Sequence, residues 1–301
     1  MRNTEFLYEE SLKSRLSDEL INIYCLRPLA GIIVKALYPT PITANQITVA
    51  SIMVGVLAAV LYAVGVQPYV AFAGLAIVLK DVLDSADGQL ARARREESRK
   101  GRFLDSLGDV LVNVLLFSAV GWMLFRQNHS TNVIFLSAAG FAGLTLRVSS
   151  HVYYNVAYLH LQQRYLINRL REDFSEADYN EDMLTHILHR LYLVIYGWQD
   201  ALMERIDRWS AGAKLSEEQA RLWYSDATAL RLSGLIGFGT EYLVLMLCSL
   251  FANPIGGLEL YLWLNLLLMN SIALAVIFYR RLVLRKIIVE RKARTVSNCD
   301  I

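Results

Sequence analysis

The sequence is short of what staples a small secreted domain. Its 301 residues hold three cysteines. They stand isolated at Cys25, Cys248 and Cys299, so neither a disulfide framework nor a zinc site is indicated. No internal repeat is visible. No cleavable signal is expected before the first apolar block, because residues 1–20 are charged and lack an apolar core. Net charge is only +2, which points away from nucleic acid as a partner. The apolar blocks also lack the polar stripe that a helix of a soluble protein would show.

Apolar residues make up 55% of the chain and fall into blocks at roughly 47–66, 68–80, 110–125, 132–146, 232–251 and 258–279. Several reach or approach the ~20 residues that cross a bilayer. Two of them, 68–80 and 110–125, run directly into aspartates. The expected fold is an all-α membrane protein with six transmembrane helices. Lys and Arg support one orientation. With both termini on one side, 26 of the 30 fall on that side, and the opposite connections carry Arg126 alone. The positive-inside rule then puts both termini and the charged loops in the cytoplasm.

The chain divides accordingly. Residues 1–44 form a cytoplasmic leader and an interfacial amphipathic helix, drawn from Asp18 to Leu37 and interrupted or bent at Pro28. Residues 45–155 hold the first four spans, and 156–228 form a cytoplasmic helical insertion. Residues 229–281 hold the last two spans, and 282–301 are a basic tail suited to anionic headgroups. Within the insertion, HILHRLYLVIYGWQDALMERIDRW has helical apolar spacing and reads as an amphipathic surface helix.

Chemistry concentrates in KDVLDSADGQLARARREESRKGRFLDSLGDVL. Asp84, Asp87, Gly88, Ala91, Arg92, Gly101, Asp105 and Asp109 satisfy D-x2-D-G-x2-A-R-x8-G-x3-D-x3-D. Eight positions at about one in twenty each would match by chance about once in 10^10 starts. At ~100° per residue, the first five project from one face of their helix, within about −60° to +80° of Asp84. Gly101, Asp105 and Asp109 share a stripe on the next helix, so two carboxylates from each helix can converge at the inner membrane boundary. Four such acids cannot all ionise unless cations neutralise them. Their hard oxygens favour Mg²⁺, Mn²⁺ or Ca²⁺. The small residues leave room for a bulky ligand, and Arg92 can grip a phosphate. A cation transporter is the rival reading from another class, since intramembrane acids also serve transport.

The pattern resembles the signature of the CDP-alcohol phosphotransferases. The upstream ITANQIT resembles that family's Thr-Pro-Asn-x-Ile-Thr, with Ala44 in place of the proline. The resemblance implies a two-metal site for Mg²⁺ or Mn²⁺ on Asp84, Asp87, Asp105 and Asp109. It makes Asp109 also the base that deprotonates the alcohol. It assigns Asn45, Asp84, Gly88, Ala91, Arg92 and Gly101 to the CDP-linked donor, and it implies a homodimer in membrane lipid. The expected reaction moves a substituted phosphate from CDP-diacylglycerol to a phosphorylated or polar alcohol, such as inositol phosphate, glycerol phosphate or serine. Lys80, Arg147 and Arg231 are the candidate acceptor pocket. The alternative is transfer from CDP-choline or CDP-ethanolamine to diacylglycerol.

Overall fold

A computed structural model describes residues 6–12, 14, 16–163, 172 and 182–288. Among these the chain is helical, with no strand. The helices are α1 (Arg27–Leu37), α2 (Ala44–Val64), α3 (Tyr69–Arg94), α4 (Arg99–Asn128) and α5 (Asn132–Leu161). Then follow α6 (Met183–Ala211), α7 (Glu217–Tyr224), α8 (Ala227–Ser233) and α9 (Phe238–Ser249). The last, α10 (Pro254–Ile288), runs through two widened π turns at Leu264–Met269 and Arg280–Leu284.

The six apolar blocks lie largely in helices, the fifth being broken at 234–237. Five elements are long and apolar enough to cross a membrane: α2, α4, α5, the α8–α9 pair and α10. The sixth expected span, α3, is not among them. It has 26 residues, enough length at ~1.5 Å each, but its inner half carries Lys80, Asp81, Asp84 and Asp87. Instead of facing outward throughout, α3 packs between α1, α2 and α9. Close approach is achieved with small residues, as expected where helices meet without a hydrophobic driving force. A Cβ on Gly108 of α4 would fall 2.3 Å from Ile52 Cδ1 of α2.

The N-terminal segment is held against this bundle. A π turn at Asn22–Leu26 leads into α1, where Pro28 occupies the first turn. Proline has no N–H to donate, so the ladder widens just before it and the chain passes without a break. One face of α1 (Ala30, Gly31, Val34) is buried, while Leu29 and Ile32 are exposed. α6 packs on α4 and α5. It leaves Leu184, Ile187, Leu191, Val194 and Trp198 exposed. The tail from 289 onward and much of the connection 164–181 lie outside the described residues.

Candidate active site

The α2 start is built to present Asn45. Thr43 Oγ1 accepts the Gln46 N–H at 3.3 Å, and Gln46 Oε1 accepts the Thr43 N–H at 2.9 Å. This reciprocal cap leaves Ala44 in the first helical turn, a position where proline is favoured and alanine is equally at ease. The preceding loop is clamped by Arg94, whose guanidinium donates to the carbonyls of Leu37, Tyr38, Thr40 and Ile42 at 2.6–2.9 Å. Between α3 and α4, Arg95 takes a left-handed conformation (φ 57°), and Ser98 Oγ accepts the Gly101 N–H at 3.1 Å. A Cβ on Gly101 would lie 2.9 Å from Asn45 Oδ1, so glycine lets the two helix starts meet.

Two cavities flank the carboxylates. The smaller, about 60 Å³, is lined by Asn45, Asp87, Gly88, Ala91, Arg92, Gly101, Arg102 and Asp105. The larger, about 260 Å³, lies among α4, α5, α6 and the N-terminal segment. Arg102 and Asp105 line both. Asp109 lines the larger one.

Asp84, Asp105 and Asp109 each offer a carboxylate oxygen within 4.8 Å of the others. Asp87 is not in that trio and belongs to the wall of the smaller cavity. Asp84 lies with Asp105 and Asp109 and is not among the residues lining the smaller cavity. The donor set suits a hard divalent ion. Moreover, Asp87 Oδ2 and Asp105 Oδ1 are buried and accept no hydrogen bond, which is costly unless something positive meets them.

Lys80, 1% exposed, reaches into this group. Its Nζ pairs with Asp84 Oδ1 at 3.1 Å and with Asp109 Oδ1. The Tyr242 ring lies 5.7 Å from the ammonium. Asn113 Nδ2, one turn below, donates to Asp109 O at 2.9 Å and to Tyr242 Oη at 3.0 Å.

The three basic residues expected to form an acceptor pocket are not brought together. Arg147 is buried elsewhere, with Nη2 on Glu241 Oε2 at 2.7 Å and Nη1 on Asn265 O and Asn270 Oδ1 at 2.9 Å. Arg231 is exposed on α8. Neither lines either cavity. Sequence reasoning overlooked Glu241, although an acid inside an apolar block is a signal that a partner must exist. It also overlooked the N-terminal contribution. Arg92 Nε donates to Ser11 O at 2.6 Å, Gln89 Nε2 to Arg27 O at 3.1 Å, and Asp18 pairs with Arg27 at 2.5 Å. No local pattern in residues 8–19 announces those contacts.

Residues 41–162 match the family model of the CDP-alcohol phosphatidyltransferases. This segment is similar to the domain of that family. It covers α2 to α5 and contains all four motif aspartates. Over 122 residues the chain is 32% identical to the inner membrane protein YnbA of Escherichia coli (strain K12), an alignment covering 38% of this chain. The match spans 59% of that relative's length. With five apolar helices and this relative, the chain is an integral membrane protein. CDP-alcohol phosphatidyltransferases transfer substituted phosphate groups, and Asp105 of the matched segment lines both cavities.

Proposed function

We propose that the chain transfers a substituted phosphate group from a CDP-linked lipid, CDP-diacylglycerol, to a polar alcohol and releases CMP. The observation that carries this reading is the position of the carboxylates. Asp105 stands on the wall shared by two cavities, and Asp109 faces only the larger. A donor in the smaller cavity and an alcohol in the larger one would meet there.

Asn45, Gly88, Ala91 and Gly101 frame the nucleotide, the three small residues giving its phosphates close access to the backbone. Arg92 supplies a charge-assisted donor. Mg²⁺ or Mn²⁺ held by Asp84, Asp87, Asp105 and Asp109 would supply the positive charge that phosphates and departing CMP require. Asp109 accepts the proton of the alcohol as its oxygen forms a bond to phosphorus and the bond from phosphorus to CMP breaks. Lys80 and Asn113 hold Asp109 from either side, through its carboxylate and its backbone. We place α3 as a sixth membrane element, with both termini and the carboxylates on the cytoplasmic side and α1 in the interface. A homodimer belongs to the same reading.

The deciding experiment incubates purified protein with radiolabelled CDP-diacylglycerol and a panel of alcohols, with and without EDTA. CMP and a new lipid should appear only with an alcohol and only with Mg²⁺ or Mn²⁺ restored. Unchanged turnover in excess EDTA counts against the metal assignment. No CDP binding at all counts against the whole reading.

A further inference from the structure

The larger cavity carries an imbalance that bears on the alcohol. Two of its lining residues, Asn22 and Asn155, each have a buried side-chain oxygen that accepts no hydrogen bond. Asn22 Nδ2 donates to Asp18 Oδ1 at 3.2 Å, and its Oδ1 stands against Gly239, where a Cβ would lie 2.4 Å away, so Asn155 is the amide acceptor left for a ligand. Unmet acceptors in a cavity call for a ligand that brings O–H or N–H groups.

The charges in that wall point the same way. Two guanidinium groups line the cavity among the described residues, and both already face a carboxylate. Arg27 pairs with Asp18 at 2.5 Å, and Arg102 pairs with Glu172. Asp18 and Asp200 line it as well, apart from Asp105 and Asp109, which would hold the metal. A phosphomonoester brings negative charge to a wall whose two guanidinium groups already face carboxylates. An uncharged polyol brings several O–H donors and no charge. Neutral hydrogen-bonding side chains such as Asn113, Ser149 and Gln199 contribute to the lining, and the volume of about 260 Å³ suits a small molecule.

We infer that the larger cavity is the acceptor site and that it selects a small uncharged polyhydroxyl alcohol over the phosphorylated form of the same alcohol. This rests on the transferase reading above and narrows its acceptor class. No step is added, since the hydroxyl proton still goes to Asp109 and CMP still leaves.

The test uses the full chain in liposomes containing CDP-diacylglycerol, with CMP release as the readout. Two pairs are compared, glycerol with glycerol 3-phosphate and inositol with inositol phosphate. The unphosphorylated member of at least one pair should be used with kcat/KM about tenfold higher or more, the cost of an extra unpaired charge in a partly buried site. Asn155→Leu should raise the acceptor KM roughly two- to tenfold, the worth of one hydrogen bond, with the CDP-diacylglycerol KM unchanged. Asn155→Ser should recover part of the loss. Absence of that preference in both pairs, or an unmoved acceptor KM in Asn155→Leu, overturns the inference. CDP binding without turnover of either pair also overturns it, leaving the transferase reading in place. Failure of the protein to bind CDP would instead sink that reading.

Discussion

Two regions of this molecule bury ionisable side chains among apolar helices, and they are balanced differently. Between α5, α9 and α10, one guanidinium meets one carboxylate. Arg147 and Glu241 are 2% and 1% exposed, and Tyr261 and Asn265 donate to the other oxygen of Glu241. Between α3 and α4, four motif carboxylates share the ammonium of Lys80, which reaches two of them. Two carboxylate oxygens there accept nothing, and both cavities open on the group. Burial is common to both regions. The difference is net charge: a closed one-to-one pair serves the fold, while surplus acid beside open space is what the proposed cation and substrate would meet.

The largest effect that separates the two regions is expected at Asp109. Asp109→Asn keeps the size of the side chain but cannot take a proton. Turnover should fall by about 10²–10⁴-fold, the usual worth of a general base. Binding of the CDP-linked donor should persist, since the smaller cavity, proposed above for the nucleotide, lacks Asp109. Paired saturation and turnover measurements check this. Loss of donor binding together with turnover would mean that Asp109 shapes the nucleotide site, and the division between cavities would fail.

The balanced region should respond in stability. Arg147→Met leaves Glu241 buried without its cation, which typically costs about 3–5 kcal/mol. The double variant Arg147→Met, Glu241→Leu removes both charges and should recover most of that loss. Thermal unfolding of the four proteins of the cycle in the same detergent measures the coupling. If Arg147→Met instead keeps its Tm and raises the acceptor KM, Arg147 belongs to the acceptor site as the sequence alone suggested.

How much of this was legible depends on the range of each interaction. The helices were legible, because apolar blocks of this length leave few alternatives in a membrane. The convergence of Asp84, Asp105 and Asp109 was legible too, since helical spacing fixes which acids share a face, but Asp87, expected with them, stands on the wall of the smaller cavity. The placement of Arg147 was not, because its partner lies 94 positions away on α9. Snorkelling towards the interface and pairing inside the bundle look alike until that partner is seen. The N-terminal segment was read as a surface element, although Ser11, Asp18 and Glu19 reach the site. Those contacts run through backbone carbonyls and single side chains, which leave no periodic trace in a sequence.

Glu19 offers the smallest and sharpest extension of the comparison, because it carries the acid surplus of the α3–α4 region into the N-terminal segment. It is buried, and its Oε2 accepts the Thr240 N–H at 3.1 Å at the start of α9. A Cβ on Gly237 would sit 2.0 Å from Glu19 Oε1, so glycine there is what admits the carboxyl. Burial first, then the neighbouring Asp81, pushes this carboxyl from 4.5 up to about 8, with Thr240 and Arg27 pulling the other way. In the unfolded chain it loses its proton near 4.5, while the folded chain keeps it to about 8. The folded state therefore binds more protons across that window, and its stability must fall as pH rises through it and level off above. Glu19→Gln cannot titrate and keeps the acceptor for Thr240, so its Tm should change less between pH 5 and pH 8 than that of the parent. Thermal unfolding of both proteins in matched buffers across that range gives the two slopes. Equal slopes would mean that the docked segment releases Glu19 to water, and the acid surplus would then end at α3.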